Sequence, residues 1–96
     1  MTTAVQSVDR ALTLMELIAA DPEGSRLSDL ARAAGLAPST THRLLTALEQ
    51  RGFAQSDATT GRWLIGRRAH MVGAALGTAR SLRIPAVPQL RRLRDT

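Results

Sequence analysis

Apolar residues recur at every third or fourth position through the first fifty residues, which indicates amphipathic helices. The stretch SVDRALTLMELIAA, residues 7–20, predicts the first helix, with Ser7 as its N-cap and Asp9 in its first turn. The stripe expected to face the core consists of Val8, Ala11, Leu12, Met15, Ile18 and Ala19, widened by Leu14 and Leu17. The proline and glycine of the following DPEG end this helix.

Two shorter helices follow, with only a few residues between them. The second is predicted within residues 25–35, with Ser28 as its N-cap and a glycine as its stop. After the link LAP, the third is predicted from about Pro38 or Ser39 to Arg51, because proline suits a first helical turn. Two short helices joined by a tight turn indicate a helix-turn-helix.

The hydrophobic period then shortens to two. The stretches FAQS, residues 53–56, and RWLI, residues 62–65, predict two short strands joined by the turn-rich DATTG. We expect Phe53, Trp63 and Ile65 to point to the core, and Ala54, Arg62 and Leu64 to point the other way. RRAHMVGAALGTARS, residues 67–81, predicts a fourth helix, and the prolines of the last residues predict a linker that enters a helical piece from Pro88 to Arg94. The predicted fold is mainly α with a small β-hairpin, a winged helix-turn-helix followed by a linker helix.

The third helix divides into two faces. Thr41, Leu44, Leu45 and Leu48 share the inward face, and the opposite face carries Ser39, Arg43, Thr46 and Gln50, flanked by Thr40, His42 and Ala47. Short hydroxyl side chains at a helix start suit phosphates, and an arginine one turn later suits a guanine edge. Two interpretations are open for this helix alone: a surface that enters a DNA major groove, or hydroxyls that cap the helix beside a solvated polar face.

Charge is distributed unevenly along the 96 residues, whose formal net charge is +5. Residues 1–61 hold five arginines and seven acids, whereas residues 62–96 hold eight arginines and one acid. There is no lysine. A strongly basic C-terminal third predicts a polyanionic partner, and Arg62 at the base of the hairpin is placed to reach phosphate or the minor groove.

Several other classes of function find little support in the residue types. The chain has no cysteine, and its two histidines, His42 and His70, lie on different predicted helices, so no metal site is expected. No serine, histidine and acid form an arguable catalytic set, and no cofactor motif is present, so we expect a binding protein and not an enzyme. Without an apolar run of membrane-spanning length or a signal pattern, a cytoplasmic protein that does not engage a membrane is expected.

The block from LARAAGL through STTHRLLTALEQRGF to TTGRW resembles the N-terminal DNA-binding domain of IclR-type transcriptional regulators, and the resemblance covers about residues 5–80. It implies a sequence-specific regulator that binds a palindromic double-stranded DNA operator as a homodimer or dimer of dimers. It also implies a division into a DNA-binding domain over residues 1–66, a linker helix over residues 67–82, and the start of a C-terminal effector-binding domain at residues 83–96. A small-molecule effector is expected to act only through the missing remainder of that domain. The length of the chain predicts a truncated protein, with a short natural relative as the alternative.

The resemblance also carries site residues onto this sequence. Ser39, Thr40 and Arg43 fall where such regulators contact DNA, and Thr60 and Arg62 fall on the wing. With the helix neighbours and the first basic residue of the linker helix, the expected DNA-binding set is Ser39, Thr40, His42, Arg43, Thr46, Thr60, Arg62 and Arg67. The sequence departs from the family at Thr41, where an apolar residue such as valine is usual, so its hydroxyl needs a partner. The alternative function is a winged-helix module that binds a protein and no DNA.

Overall fold

The computed structural model describes the backbone of residues 3–80 and the side chains of residues 5–75. The elements, in chain order, are α1 (Thr3–Ala19), α2 (Leu27–Ala34), α3 (Pro38–Gln50), β1 (Ala54–Ser56), β2 (Trp63–Ile65) and α4 (Arg67–Arg80). The predicted fold class is confirmed, since the two strands form an antiparallel hairpin among four helices. The helical piece predicted from Pro88 to Arg94, and the start of an effector domain at residues 83–96, lie outside the described residues.

The core lies where α1, α2 and α3 meet under the hairpin. Its buried apolar side chains are Leu14, Ile18, Leu30, Leu45, Ala54 and Trp63. Aliphatic residues therefore fill most of the core, as the near absence of aromatic residues requires. The half-buried Leu17, Leu27, Ala34, Leu44, Leu48 and Ile65 pack around it.

Helix α1 differs from its prediction in two ways. It begins at Thr3, so Ser7 lies inside the helix and does not cap it, and Asp9 lies beyond the first turn. The predicted apolar stripe is in fact two stripes. Leu14 and Ile18 are fully buried, whereas Val8 and Leu12, which lie about 120–160° away from Leu14 at 100° per residue, are more than half exposed. The second stripe therefore faces away from the core of this chain.

The turn between α2 and α3 follows the prediction closely. Gly35 has φ 71° and ends α2 in the left-handed conformation, while Leu36 N donates to Ala31 O at 2.9 Å. The predicted cap of α2 is wrong, since the helix already begins at Leu27, directly after Arg26. Tight closure at Gly35 brings α3 against α2 after a link of three residues.

The hairpin places its side chains differently from the predicted alternation. Ala54 pairs with Ile65, and Ser56 pairs with Trp63, so these residues share the face that covers the core. Ala54 is 2% exposed and belongs to the core, contrary to the prediction. Phe53 precedes the strand, and it lines a groove against α1 instead of the core. The bridge of Ser25 with Trp63 adds a third backbone segment to the edge of β2.

Candidate nucleic-acid interface

One face of α3 is open to solvent along its length. Its members are Ser39, Arg43, Thr46, Ala47 and Gln50, of which Thr46 is half-buried and the others are exposed. Thr41 and Leu45 are fully buried on the opposite side. The predicted division of this helix into an inner and an outer face is confirmed, and the outer face carries a single charge, on Arg43.

The start of α3 presents hydrogen-bonding groups outward. Ala37 is the N-cap and Pro38 the first helical residue, so the earliest intrahelical bond runs from Thr41 N to Ala37 O at 3.0 Å. The N–H groups of Ser39 and Thr40 precede that bond, and neither hydroxyl takes part in a side-chain hydrogen bond with the described residues. Since an apolar Ala37 cannot cap the helix with its side chain, these groups are available to an anion.

Thr41 does not belong to this outward set. Its side chain is fully buried, and its Oγ1 donates to Ala37 O at 3.0 Å. The hydroxyl that the sequence left in need of a partner is therefore satisfied one turn back along its own helix. No DNA contact is assigned to it.

The tip of the hairpin, residues 57–61, is organised by one carboxylate. Asp57 Oδ1 accepts from Thr59 N at 2.7 Å and from Thr60 N at 3.3 Å, and Gly61 closes the turn with φ 74°. Thr60 is exposed, and its Oγ1 accepts from Arg62 N at 3.2 Å. In the side-chain hydrogen bonds of the described residues this hydroxyl only accepts, so it can still donate to a phosphate oxygen.

Arg62, a predicted wing contact, is engaged with the protein. Its Nη1 donates to Gly24 O at 3.1 Å, a bond between residues 38 positions apart in the sequence. The side chain is half-buried and crosses to the loop between α1 and α2. In this structure the guanidinium ties the residue directly before β2 to that loop, and it does not project from the hairpin as Thr60 does.

Two side chains of α3 face the hairpin. The His42 ring meets the Trp63 ring edge to face, with 6.5 Å between centroids. Seven residues later, Glu49 Oε2 accepts from Ser56 N at 3.3 Å and from Ser56 Oγ at 2.9 Å. Sequence reasoning missed the role of Glu49. A signal existed in the spacing of His42 and Glu49, since residues seven apart lie on one side of a helix.

Arg67 does not join the other predicted residues. It begins α4, and the next residue, Arg68, packs over Gly52 just beyond the end of α3. Helix α3 is about 20 Å long at 1.5 Å per residue, so this end is separated from Ser39 by the length of the helix. The structure therefore brings together Ser39, Thr40, His42, Arg43 and Thr46 on α3, puts Thr60 on the wing, and leaves Arg67 at the far end.

The described residues show few features of any other kind of site. They contain no group of three or more metal-ligating side chains, and no helix among them is long and apolar enough to cross a membrane. Their concave surfaces include a groove of about 770 Å³ between α1, the end of α3 and α4, lined by Val8, Leu12, Met15, Phe53, Ala69 and Val72 among others. Arg51 is the charged residue in the lining of this groove, the α1–α4 groove, so no two titratable groups converge there.

A helix-turn-helix with an outward polar face on its second helix, followed by a hairpin wing, defines a winged-helix DNA-binding domain. Comparison with known proteins agrees. The IclR helix-turn-helix domain matches residues 7–58, so the chain belongs to the IclR family of transcriptional regulators. The chain is therefore a DNA-binding domain of this family, and the relatives that it resembles are transcriptional regulators and not enzymes.

Two curated relatives are similar over nearly the whole chain. The transcriptional repressor IclR of Escherichia coli (strain K12) is 44% identical over 94 residues, which cover 98% of this chain and 34% of the relative. The acetate operon repressor of Salmonella typhimurium is 41% identical over 95 residues, covering 99% of this chain and 35% of the relative. The chain thus spans about a third of the length of these relatives.

Solved structures agree on the fold. Pseudomonas aeruginosa HmgR superposes with a TM-score of 0.68 at 38% identity, covering 74% of this chain and 29% of that one. An IclR transcriptional regulator from Alicyclobacillus acidocaldarius gives a TM-score of 0.67 at 26% identity, covering 73% of this chain and 28% of that one. The winged-helix arrangement is therefore shared with both of these crystal structures.

Proposed function

We propose that this chain binds a specific two-fold symmetric DNA operator as a homodimer. In each copy α3 enters the major groove, and the hairpin tip contacts the adjacent backbone. The observation that carries the proposal is the outer face of α3, where Ser39 and Thr40 offer hydroxyl and N–H groups at the helix start and Arg43 follows one turn later. Two-fold symmetry implies half-sites about 10 bp apart, or a multiple of that spacing.

The proposed contacts divide into two kinds. Ser39, Thr40 and Thr60 position the protein on phosphates, because they are short hydroxyls at a helix start or a loop tip. Arg43 reads a base edge, since a guanidinium can donate two parallel hydrogen bonds to guanine. Thr46 belongs to the same outer face, and His42 borders that face and also touches the wing through Trp63.

A second copy of the chain is the proposed occupant of the α1–α4 groove. The exposed large apolar side chains of the described residues all lie on α1 and α4, at Val5, Val8, Leu12, Met71 and Val72. Three of them, Val8, Leu12 and Val72, line this one groove. The apolar surface that these three side chains contribute to one groove favours association, and α3 keeps its outer face free for DNA.

Two further properties are part of the same proposal. Any small-molecule effector binds outside these 96 residues, in a region that the longer relatives contain and this chain does not match. Because the proposed partner is a DNA operator and the relatives are regulators of bacteria, we propose a cytoplasmic location.

Selection of bound duplexes from a random pool with the 96-residue chain tests the DNA proposal. We expect a two-fold symmetric sequence, with binding that weakens as salt rises. Arg43→Ala is expected to cost about 1–3 kcal/mol and to relax preference at one base position per half-site. Arg32→Ala is the matched control, because it removes the same charge from α2, where Arg32 pairs with Asp29 at 3.2 Å.

The outcomes separate the alternatives. Equal weakening of selected and random duplexes by Arg43→Ala would make Arg43 a phosphate contact. A wild-type chain that recovers no preferred sequence would favour the protein-binding module.

Sedimentation at several concentrations tests the dimer. Leu12→Ser should shift the chain towards monomer, whereas Met71→Ser, at a similarly exposed residue outside the α1–α4 groove, should not.

A further inference from the structure

The side of α3 that faces the hairpin carries one negative charge, on Glu49. Its carboxylate accepts two hydrogen bonds from one residue of the wing, from Ser56 N at 3.3 Å and from Ser56 Oγ at 2.9 Å. Among the side-chain hydrogen bonds of the described residues, these are the ones that join α3 to the hairpin.

The position of Glu49 is electrostatically unfavourable in two respects. It lies in the last turn of α3, where the partial negative charge of the helix terminus repels an anion. On a helix proposed to enter DNA, a carboxylate is also repelled by phosphates. Within the described residues no salt bridge offsets this charge. Its hydrogen bonds are those that it makes with the wing, and Arg67 and Arg68 line the same concave surface without forming a salt bridge to it.

Ser56 is a sensitive point of the hairpin. It is the last residue of β1, directly before the tip, and its partner across the strands is Trp63. Ala54, at the other end of β1, is anchored in the core, while Ser56 is exposed. Beyond Ser56, the hairpin tip is held by hydrogen bonds within its own turn. The bonds between Ser56 and Glu49 are therefore the side-chain contacts with α3 that lie nearest to the tip.

We propose that Glu49 is a positioning residue for DNA recognition, which holds the wing at a fixed angle to the recognition helix by bonding Ser56. The inference rests on the proposed function and adds a residue that touches no DNA. A wing fixed before binding meets the backbone without first losing conformational freedom, so the hydrogen bonds to Ser56 contribute to affinity through preorganisation.

The test compares Glu49→Ala with Glu49→Gln, both in the 96-residue chain. Each variant removes the same negative charge, so each gains the same relief from phosphate repulsion. The glutamine keeps an amide oxygen that can accept from Ser56, and the alanine does not. On a duplex recovered from a random pool by the wild-type chain, we expect Glu49→Ala to bind about five-fold more weakly than Glu49→Gln, the equivalent of one ordinary hydrogen bond. Both variants should show the same salt dependence.

A shortened duplex that ends before the backbone reached by the wing separates positioning from loss of fold. On this probe the two variants should bind alike, since the wing has nothing to contact. In a Ser56→Ala background, the gap between Glu49→Ala and Glu49→Gln should shrink because one of the two bonds is already gone.

Equal affinities of the two variants on the full duplex would overturn the inference. A five-fold gap that persists on the shortened duplex would also overturn it, because the effect would then belong to the fold as a whole. Failure of the wild-type chain to select any sequence would refute the proposed function itself. That result comes from the wild-type chain alone, so it is distinct from the outcome of comparing the two Glu49 variants.

Discussion

Gly66, the single residue between β2 and α4, is the position where one added carbon should do most damage. A Cβ at this site would overlap the carbonyl oxygen of Gly52 and lie 2.8 Å from Ala54 N. Both atoms are backbone, and Gly52 O is also held by Arg68 N at 2.8 Å, while Gly66 N donates to Phe53 O at 2.9 Å. Neither neighbour can rotate away as a side chain would.

The loss of folding free energy in Gly66→Ala follows from the backbone segments that must move apart to admit the added Cβ. Separating the segments lengthens or breaks the bonds from Gly66 N and Arg68 N, at about 1 kcal/mol each. Overpacking adds about 1–3 kcal/mol. We expect the free energy of unfolding to fall by about 3–5 kcal/mol, a large part of the roughly 5–15 kcal/mol of a typical domain. Urea denaturation followed by circular dichroism measures it.

Gly73→Ala is the matched control. Gly73 lies inside α4, and a Cβ there would meet nothing within 4 Å. The same chemical change should therefore stabilise the protein, by about 0.5–1 kcal/mol, since alanine loses less backbone entropy in a helix than glycine does. A Gly66→Ala variant within 1 kcal/mol of the wild type would refute the reasoning, because it would show that the turn into α4 relaxes freely.

Three other predictions concern single side chains. Thr41→Val should change the free energy of unfolding by less than about 1 kcal/mol, because Ala37 O keeps its bond from Thr41 N, whereas Thr41→Ser should cost about 1 kcal/mol for a lost buried methyl; denaturation that ranks serine at or above valine would contradict this. Arg62→Ala should lower stability by about 1 kcal/mol in the absence of DNA, since it removes the bond to Gly24 O; an unchanged urea midpoint would show that this bond contributes nothing. Arg67→Gln should change the salt slope of DNA binding by less than the roughly 0.9 expected for one phosphate contact, and a full unit would place Arg67 on DNA.

The sequence pattern predicts much of this fold because the residues at several helix ends determine where the helix begins or stops. Gly35 permits the left-handed end of α2, and Pro38 suits the first turn of α3. The two faces of α3 were also predictable, since Thr41 and Leu45 repeat at helical spacing on the side opposite Arg43. Where the geometry of a single helix determines which residues share a face, the spacing of residues in the sequence is enough to predict that face.

The predictions that are wrong concern residues whose burial depends on contact with another helix or strand. Residues Val8 and Leu12 were predicted to be core because they are apolar at helical spacing, but periodicity does not say which half of a wide stripe meets α2 and α3. Ala54 was misplaced because the register of the hairpin, and not strand alternation from Phe53, sets its direction.

The candidate site shows the same limit. The outward residues of α3 follow from their own helix, whereas the bond from Arg62 to Gly24 joins residues 38 positions apart. The bonds from Ser56 to Glu49 depend on where the hairpin folds back. Such contacts carry no local signature, and they determine which polar residues remain free for a partner.

The short passage from β2 into α4 also has a mechanical consequence. One residue separates the two elements, and both Gly66 N and Arg68 N donate hydrogen bonds to the segment before β1. The first turn of α4 is therefore held closely against that segment. The helix, 14 residues long, extends about 21 Å from that joint. A tilt of about 10° there would carry its far end through about 4 Å, close to the rise of one base pair, about 3.4 Å. A displacement of the far end of a rigid α4 would therefore turn the helix about a joint that is hydrogen-bonded to the segment before the hairpin.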